Sequence, residues 1–96
     1  MFIISLTYKK SLEEVDAHLP SHVDYLEKQY SEGAFIASGR KIPRTGGVIL
    51  SLADTREELE EIIQEDPFYQ LRIADYDITE FSPGMTCPEL EFLKSR

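Results

Sequence analysis

Ala34-Phe35-Ile36-Ala37-Ser38-Gly39-Arg40-Lys41-Ile42-Pro43-Arg44-Thr45-Gly46-Gly47-Val48-Ile49-Leu50-Ser51-Leu52 is the stretch on which the fold turns. Ala34 to Ser38 is small and apolar and reads as a strand. Gly47 to Leu52 reads as the next, with Val48, Leu50 and Leu52 on one face and Ile49 on the other. Between them, Gly39 to Gly47 carries Pro43 and a glycine pair, the composition of a hairpin connection rather than of an element.

Upstream of this hairpin, Phe2, Ile4, Leu6 and Tyr8 alternate with Ile3, Ser5 and Thr7, a period of two that indicates a strand with one apolar face. Ser11 and Glu14 form a capping box that starts a short helical turn over Leu12 to His18. Pro20 restarts the helix as its first residue, Val23, Leu26 and Tyr30 give it a buried stripe, and Gly33 stops it near Glu32. Downstream, Thr55 and Glu58 make a second capping box, and Leu59, Ile62 and Ile63 supply that helix's buried side. Asp66 caps a further turn begun by Pro67, in which Phe68, Leu71 and Ile73 face inward or lead out. A last strand covers about Asp75 to Ser82 and ends at Pro83-Gly84. The order strand, helix, strand, strand, helix, strand predicts an α+β domain, a ferredoxin-like βαββαβ antiparallel sheet with its helices on one face. Ile3, Phe35, Ala37, Ile49 and Phe81 then place apolar side chains on the face the helices leave open. A face of that kind calls for a partner, so the expectation is an isologous homodimer closed over the two sheets.

Ninety-six residues with 42% hydrophobic content suffice for one core. Ten basic against eighteen acidic residues leave a formal charge of −8, which repels phosphate backbones and anionic lipid; neither nucleic acid nor a membrane surface is an expected partner. RNA binding through the same strand order would need aromatics in a basic strand, and Gly47 to Leu52 has neither. The opening MFIISLTYKK sets its apolar run before its lysines, the reverse of a secretory leader, and no run reaches the about 18 apolar residues of a membrane span. A single cysteine, Cys87, fits a reducing, cytoplasmic address.

Among residues that carry chemistry, His22 stands about 40° of helical rotation from Leu26, at the border of the predicted stripe. An imidazole there can move a proton near neutrality; the plainer reading of such a position is a structural histidine bonded to a backbone carbonyl. Asp66 reads as an N-cap whose second oxygen remains available. Arg40, Lys41 and Arg44 gather three of the ten basic residues within five positions, either to hold a small anion or as a solvated hairpin tip, with Arg40 nearest the strand end. Tyr8 and Phe68 suit a planar ligand or the core. His18 and His22 have zinc spacing on a helix, but Pro20 interrupts them and no third ligand is evident, so no metal is expected. Ser38 lacks a nucleophile elbow.

Taken together, Pro20 and His22, Glu32-Gly33 leading to Ser38-Gly39, Asp66-Pro67-Phe68, and Ile78-Thr79-Glu80-Phe81 resemble the YciI-like, or YCII-related, proteins in order and spacing. The resemblance spans residues 2 to 82, which sets a domain over 1–82; the residues beyond Pro83-Gly84 read as a tail, 83–96, with one or two helical turns expected over Pro88 to Leu93. It also implies a dimeric α+β barrel, related to muconolactone isomerase-like folds, with a His–Asp pair in a pocket beside the sheet. Carried over, the pair is His22 and Asp66, and Ser38 and Gly39 match the small residues that line the pocket. Leu19 stands where the family often has arginine, and Arg40 where it often has proline, which leaves the substrate class open.

Two functions follow. The first is a small cofactor-independent enzyme of lyase, isomerase or dehydrohalogenase type. His22 would be its acid/base, Asp66 would orient the ring, and Arg40 with Ser38 and Gly39 would hold a small anionic or cyclic substrate. The alternative is a non-catalytic homodimer that binds a small molecule or serves as an interaction module, with His22 structural. The distance between His22 and Asp66 separates them.

Overall fold

The computed structural model describes residues 1–95. Its elements, in chain order, are β1 (Phe2–Tyr8), α1 (Leu12–Ser31), β2 (Phe35–Arg40), β3 (Gly46–Ser51), α2 (Arg56–Gln64), α3 (Pro67–Gln70) and β4 (Ala74–Glu80), followed by 3-10 turns over Pro88–Ser95. The strands form one fully antiparallel sheet in the order β2-β3-β1-β4, the ferredoxin-like arrangement. Phe2, Ile4 and Leu6 of β1 point to the helices and are almost wholly buried with Leu59, Ile63 and Phe68. All three predicted caps are made: Ser11 Oγ accepts from the Glu14 N–H, Thr55 Oγ1 from that of Glu58, and Asp66 from that of Phe68. Gly33 takes φ +79° beyond the end of α1, as a helix stop requires.

Pro20 does not start a helix. It lies inside α1, which runs unbroken from Leu12 through Ser31. An internal proline forfeits the bond to the Asp16 carbonyl and costs about 3 kcal/mol. Burial on both sides of it, by Val15 before and by His22 and Tyr25 after, offsets that cost. The inward face of α1 is therefore Val15, His22, Tyr25 and Gln29, with Leu19 and Leu26 partly buried beside them. Val23 and Tyr30, expected inside, are 39% and 38% exposed. The amide of Gln29 is buried with no hydrogen-bond partner among the described residues.

Two residues expected on the open sheet face also lie inward. Ile49 pairs with Ile4, so the inward set of β3 is Gly47, Ile49 and Ser51. Phe35 sits opposite Ser51 and Ala37 opposite Leu50, with Ile36 left over between them. This bulge breaks the alternation, turning Phe35 to the helices and Ala37 away. The open face consequently carries Ile3, Ala37, Val48 and Leu50, and its Met1–Leu52 corner is covered by Leu93 of the C-terminal turns. Of the three residues read as facing inward or leading out of this turn, Phe68 and Ile73 are buried and Leu71, at the end of α3, is 49% exposed. Phe81 lies just past β4, tied to Met1 by two bonds between backbone groups. No helix among the described residues is long and apolar enough to cross a membrane.

Candidate functional site

The unbroken α1 aims His22 straight at the start of α3. There Asp66, fixed as N-cap, accepts the Phe68 N–H on Oδ1 at 2.9 Å. The same oxygen meets His22 Nδ1 at 2.8 Å, while Oδ2 accepts the Tyr76 hydroxyl of β4 at 2.5 Å. Asp66 thus has three donors around it and no exposure, and the His22 side chain is 10% exposed. Since a carboxylate only accepts, Nδ1 carries the ring proton, which leaves Nε2 with its lone pair free and with no partner among the described residues. Phe68 stacks flat on the imidazole, centroids 4.0 Å apart and planes within 2°. The ring is therefore held by a bond on one edge and a face contact, and its orientation is set before any ligand arrives.

Burial, and after it the charge of Asp66, raises the Tyr76 phenol well above its ordinary range. Burial followed by the charges of Asp66 and Glu65 does the same to Tyr25, whose hydroxyl donates to the Ile62 carbonyl at 2.8 Å and ties α1 to α2. Both phenols remain donors throughout the physiological range.

In front of His22 lies a cleft of about 170 Å³ between α1 and the β2–β3 end of the sheet. Its walls include Leu6, Leu19, Leu26 and Phe68, and its polar positions are His22, Tyr8, Ser38 and Arg40, with Gly39 beside them. Of the five residues singled out from sequence, His22, Ser38, Gly39 and Arg40 meet at this cleft. Asp66 stands behind His22 and does not line it. Leu19 adds an apolar wall. Ser38 is engaged with the Tyr30 hydroxyl at 2.5 Å. Of the three clustered basic residues, Arg44 pairs with Asp16 and Lys41 donates to Thr7, whereas Arg40 forms no ion pair among the described residues. Tyr8 meets Phe68 edge-on at 6.2 Å. His18 and His22 do lie on one continuous helix, but no cluster of three His, Cys, Asp or Glu among the described residues is placed to hold a metal. Sequence reasoning missed Tyr76 and Tyr30. Tyr76 could be assigned a strand face, but nothing in the pattern tells that its hydroxyl ends on Asp66.

Three comparisons bear on this geometry. The model of a family described as the YCII-related domain matches residues 1–82. Among solved structures, the chain is similar in fold to 5-chloro-2-hydroxyhydroquinone dehydrochlorinase (TftG) from Burkholderia phenoliruptrix AC1100, in complex with 2,5-dihydroxybenzoquinone. The TM-score is 0.74 at 18% identity, over 86% of this chain and 94% of that one. No curated protein matches.

Proposed function

The chain belongs to the YCII-related domain family, and from that premise we propose that it is a cofactor-independent enzyme in which His22 moves a proton on a small cyclic, anionic substrate. The observation that carries this reading is the 2.8 Å bond between His22 Nδ1 and a fully buried carboxylate for which His22 is the one ion-pair partner among the described residues. A carboxylate behind the ring fixes the tautomer that leaves Nε2 open to a proton and faces the imidazolium formed when that nitrogen takes one. In a dehydrohalogenation of the ring's keto tautomer, whose halogen-bearing carbon is sp3, Nε2 removes a proton from the substrate, the released electron pair moves into the ring to form the new double bond as the C–X bond breaks and halide leaves, and the imidazolium returns its proton to water. The net change is loss of HX, with no oxidant or reductant. In an isomerisation the same nitrogen returns the proton at a second carbon.

The cleft's about 170 Å³ suits one substituted six-membered ring, since a dry cavity of about 150 Å³ accepts benzene. Phe68, Leu6 and Leu26 would flank the ring, and Arg40, free of any ion pair among the described residues, would hold its negative charge. The dehydrochlorinase of similar fold acts on a ring compound of that kind, which makes its substrate the first to try. A second copy of the chain is proposed to cover the open sheet face at Ile3, Ala37, Val48 and Leu50, giving a two-fold dimer.

Chloride release from 5-chloro-2-hydroxyhydroquinone and a panel of small halogenated phenols tests the proposal. Turnover by the wild type that falls by about 10²–10⁴-fold in His22→Ala supports it. Ligands that stabilise both proteins alike without turnover favour the binding module instead.

A further inference from the structure

Asp66 has no exposure, and two of its three donors, the Phe68 N–H and His22 Nδ1–H, fall on the same oxygen. Oδ2 depends on a single group, the Tyr76 hydroxyl at 2.5 Å. Tyr76 comes from β4, the element farthest along the sheet from the cleft, and does not line it. Its far side opens on a separate hollow with Gln64, Tyr69, Gln70 and Asp75. The phenol is half-buried and its ionisation is suppressed, so it remains a donor whatever the state of the cleft. A donor on one carboxylate oxygen draws electron density from the other, which weakens Oδ1 as an acceptor for Nδ1–H.

We propose that Tyr76 is a positioning residue for the His22–Asp66 pair: its hydroxyl holds the buried carboxylate by Oδ2 and sets how strongly Oδ1 pulls on the imidazole. Tyr76 touches neither substrate nor imidazole and acts only through Asp66. The role rests on the catalytic reading above for its purpose, but its test needs no substrate.

The readout is the proton resonance of His22 Nδ1–H, followed by NMR in the full chain. In Tyr76→Phe the carboxylate loses its Oδ2 donor, Oδ1 becomes the stronger acceptor, and the resonance moves downfield. With 3,5-difluorotyrosine at position 76, a more acidic phenol and stronger donor, it moves upfield. Tyr69→Phe is the control, because Tyr69 packs edge-on against Tyr76 with centroids 5.5 Å apart but does not reach Asp66; it leaves the resonance in place. Shifts of opposite sign establish the role, since a merely structural phenol would not give them. No shift, shifts of one sign, or an equal shift in Tyr69→Phe overturn it. A protein that shows opposite shifts yet turns over nothing retains this role for Tyr76 and loses the catalytic proposal. Turnover that needs His22 with no shift at position 76 does the reverse.

Discussion

Replacing Asp66 by asparagine removes one charge and almost no volume from behind His22. The asparagine oxygen can still accept from the Phe68 N–H and from His22 Nδ1–H, and its NH2 then faces the Tyr76 hydroxyl, which rotates to accept. The cap survives, because asparagine and aspartate are nearly equal N-caps. What disappears is the partner of the imidazolium. At a separation of about 4 Å and an effective dielectric of about 20, a charge pair is worth about 4 kcal/mol, or about a thousandfold in rate. Folding stability loses less, about 1.5–3 kcal/mol for hydrogen bonds to a buried charge, which a domain of ordinary stability survives. The assay is kcat for chloride release at saturating 5-chloro-2-hydroxyhydroquinone, with urea unfolding of the same preparations. If, as proposed, Asp66 acts only through His22, the double variant with His22→Ala should be no slower than His22→Ala alone. An Asp66→Asn protein that is folded and within about threefold of wild-type kcat would refute the reasoning.

Four further outcomes follow from particular contacts. Arg40→Ala should raise KM for an anionic ring compound by about tenfold while leaving kcat nearly unchanged, read by steady-state kinetics, because in the proposed site Arg40 lines the cleft as the charge that holds the ligand and forms no bond to His22 or Asp66. Gly46→Ala should lose about 3 kcal/mol or more in urea unfolding, since a Cβ there would lie 1.7 Å from the Leu6 carbonyl oxygen, on backbone that cannot yield. Tyr25 and Tyr76 both have raised pKa values in the folded state, so their contribution is complete below the ordinary tyrosine value of 10.0 and is lost as pH rises above it. Thermal melts should accordingly fall beyond about pH 10, and less steeply in Tyr25→Phe. Val48→Glu, a charge set on the open sheet face, should yield a monomer by sedimentation if two copies close over that face, and an unchanged sedimentation coefficient counts against the dimer.

The element order was legible because its signals are local. Ser11 with Glu14, Thr55 with Glu58 and Asp66 with Phe68 each satisfy a helix end within three residues, and the hairpin announces itself by Pro43 and Gly46-Gly47. Which side of an element faces inward is not local. Alternation in β3 separates Val48, Leu50 and Leu52 from Ile49 without saying which set meets the helices, and both sets are apolar. In β2 a single bulged residue, Ile36, reverses the phase halfway, so Phe35 and Ala37 part company although they stand two apart.

The misreading of α1 has the same origin and explains why the site was only half visible. A hydrophobic stripe is found by its apolar residues, but two of the four most buried positions of α1 are His22 and Gln29. Without them the pattern rotates onto Val23, Leu26 and Tyr30, and Pro20 then looks like a start rather than an interior residue. An imidazole can occupy a core position only where something answers its polarity, and Asp66 does so from 44 residues away. The departure of His22 from the apolar pattern and its bond to Asp66 are therefore two aspects of one arrangement. The helix runs unbroken through Pro20, gives up one backbone bond there, and two residues later sets His22 against Asp66 at the start of α3, so the pair and the buried apolar residues favour the same helix register.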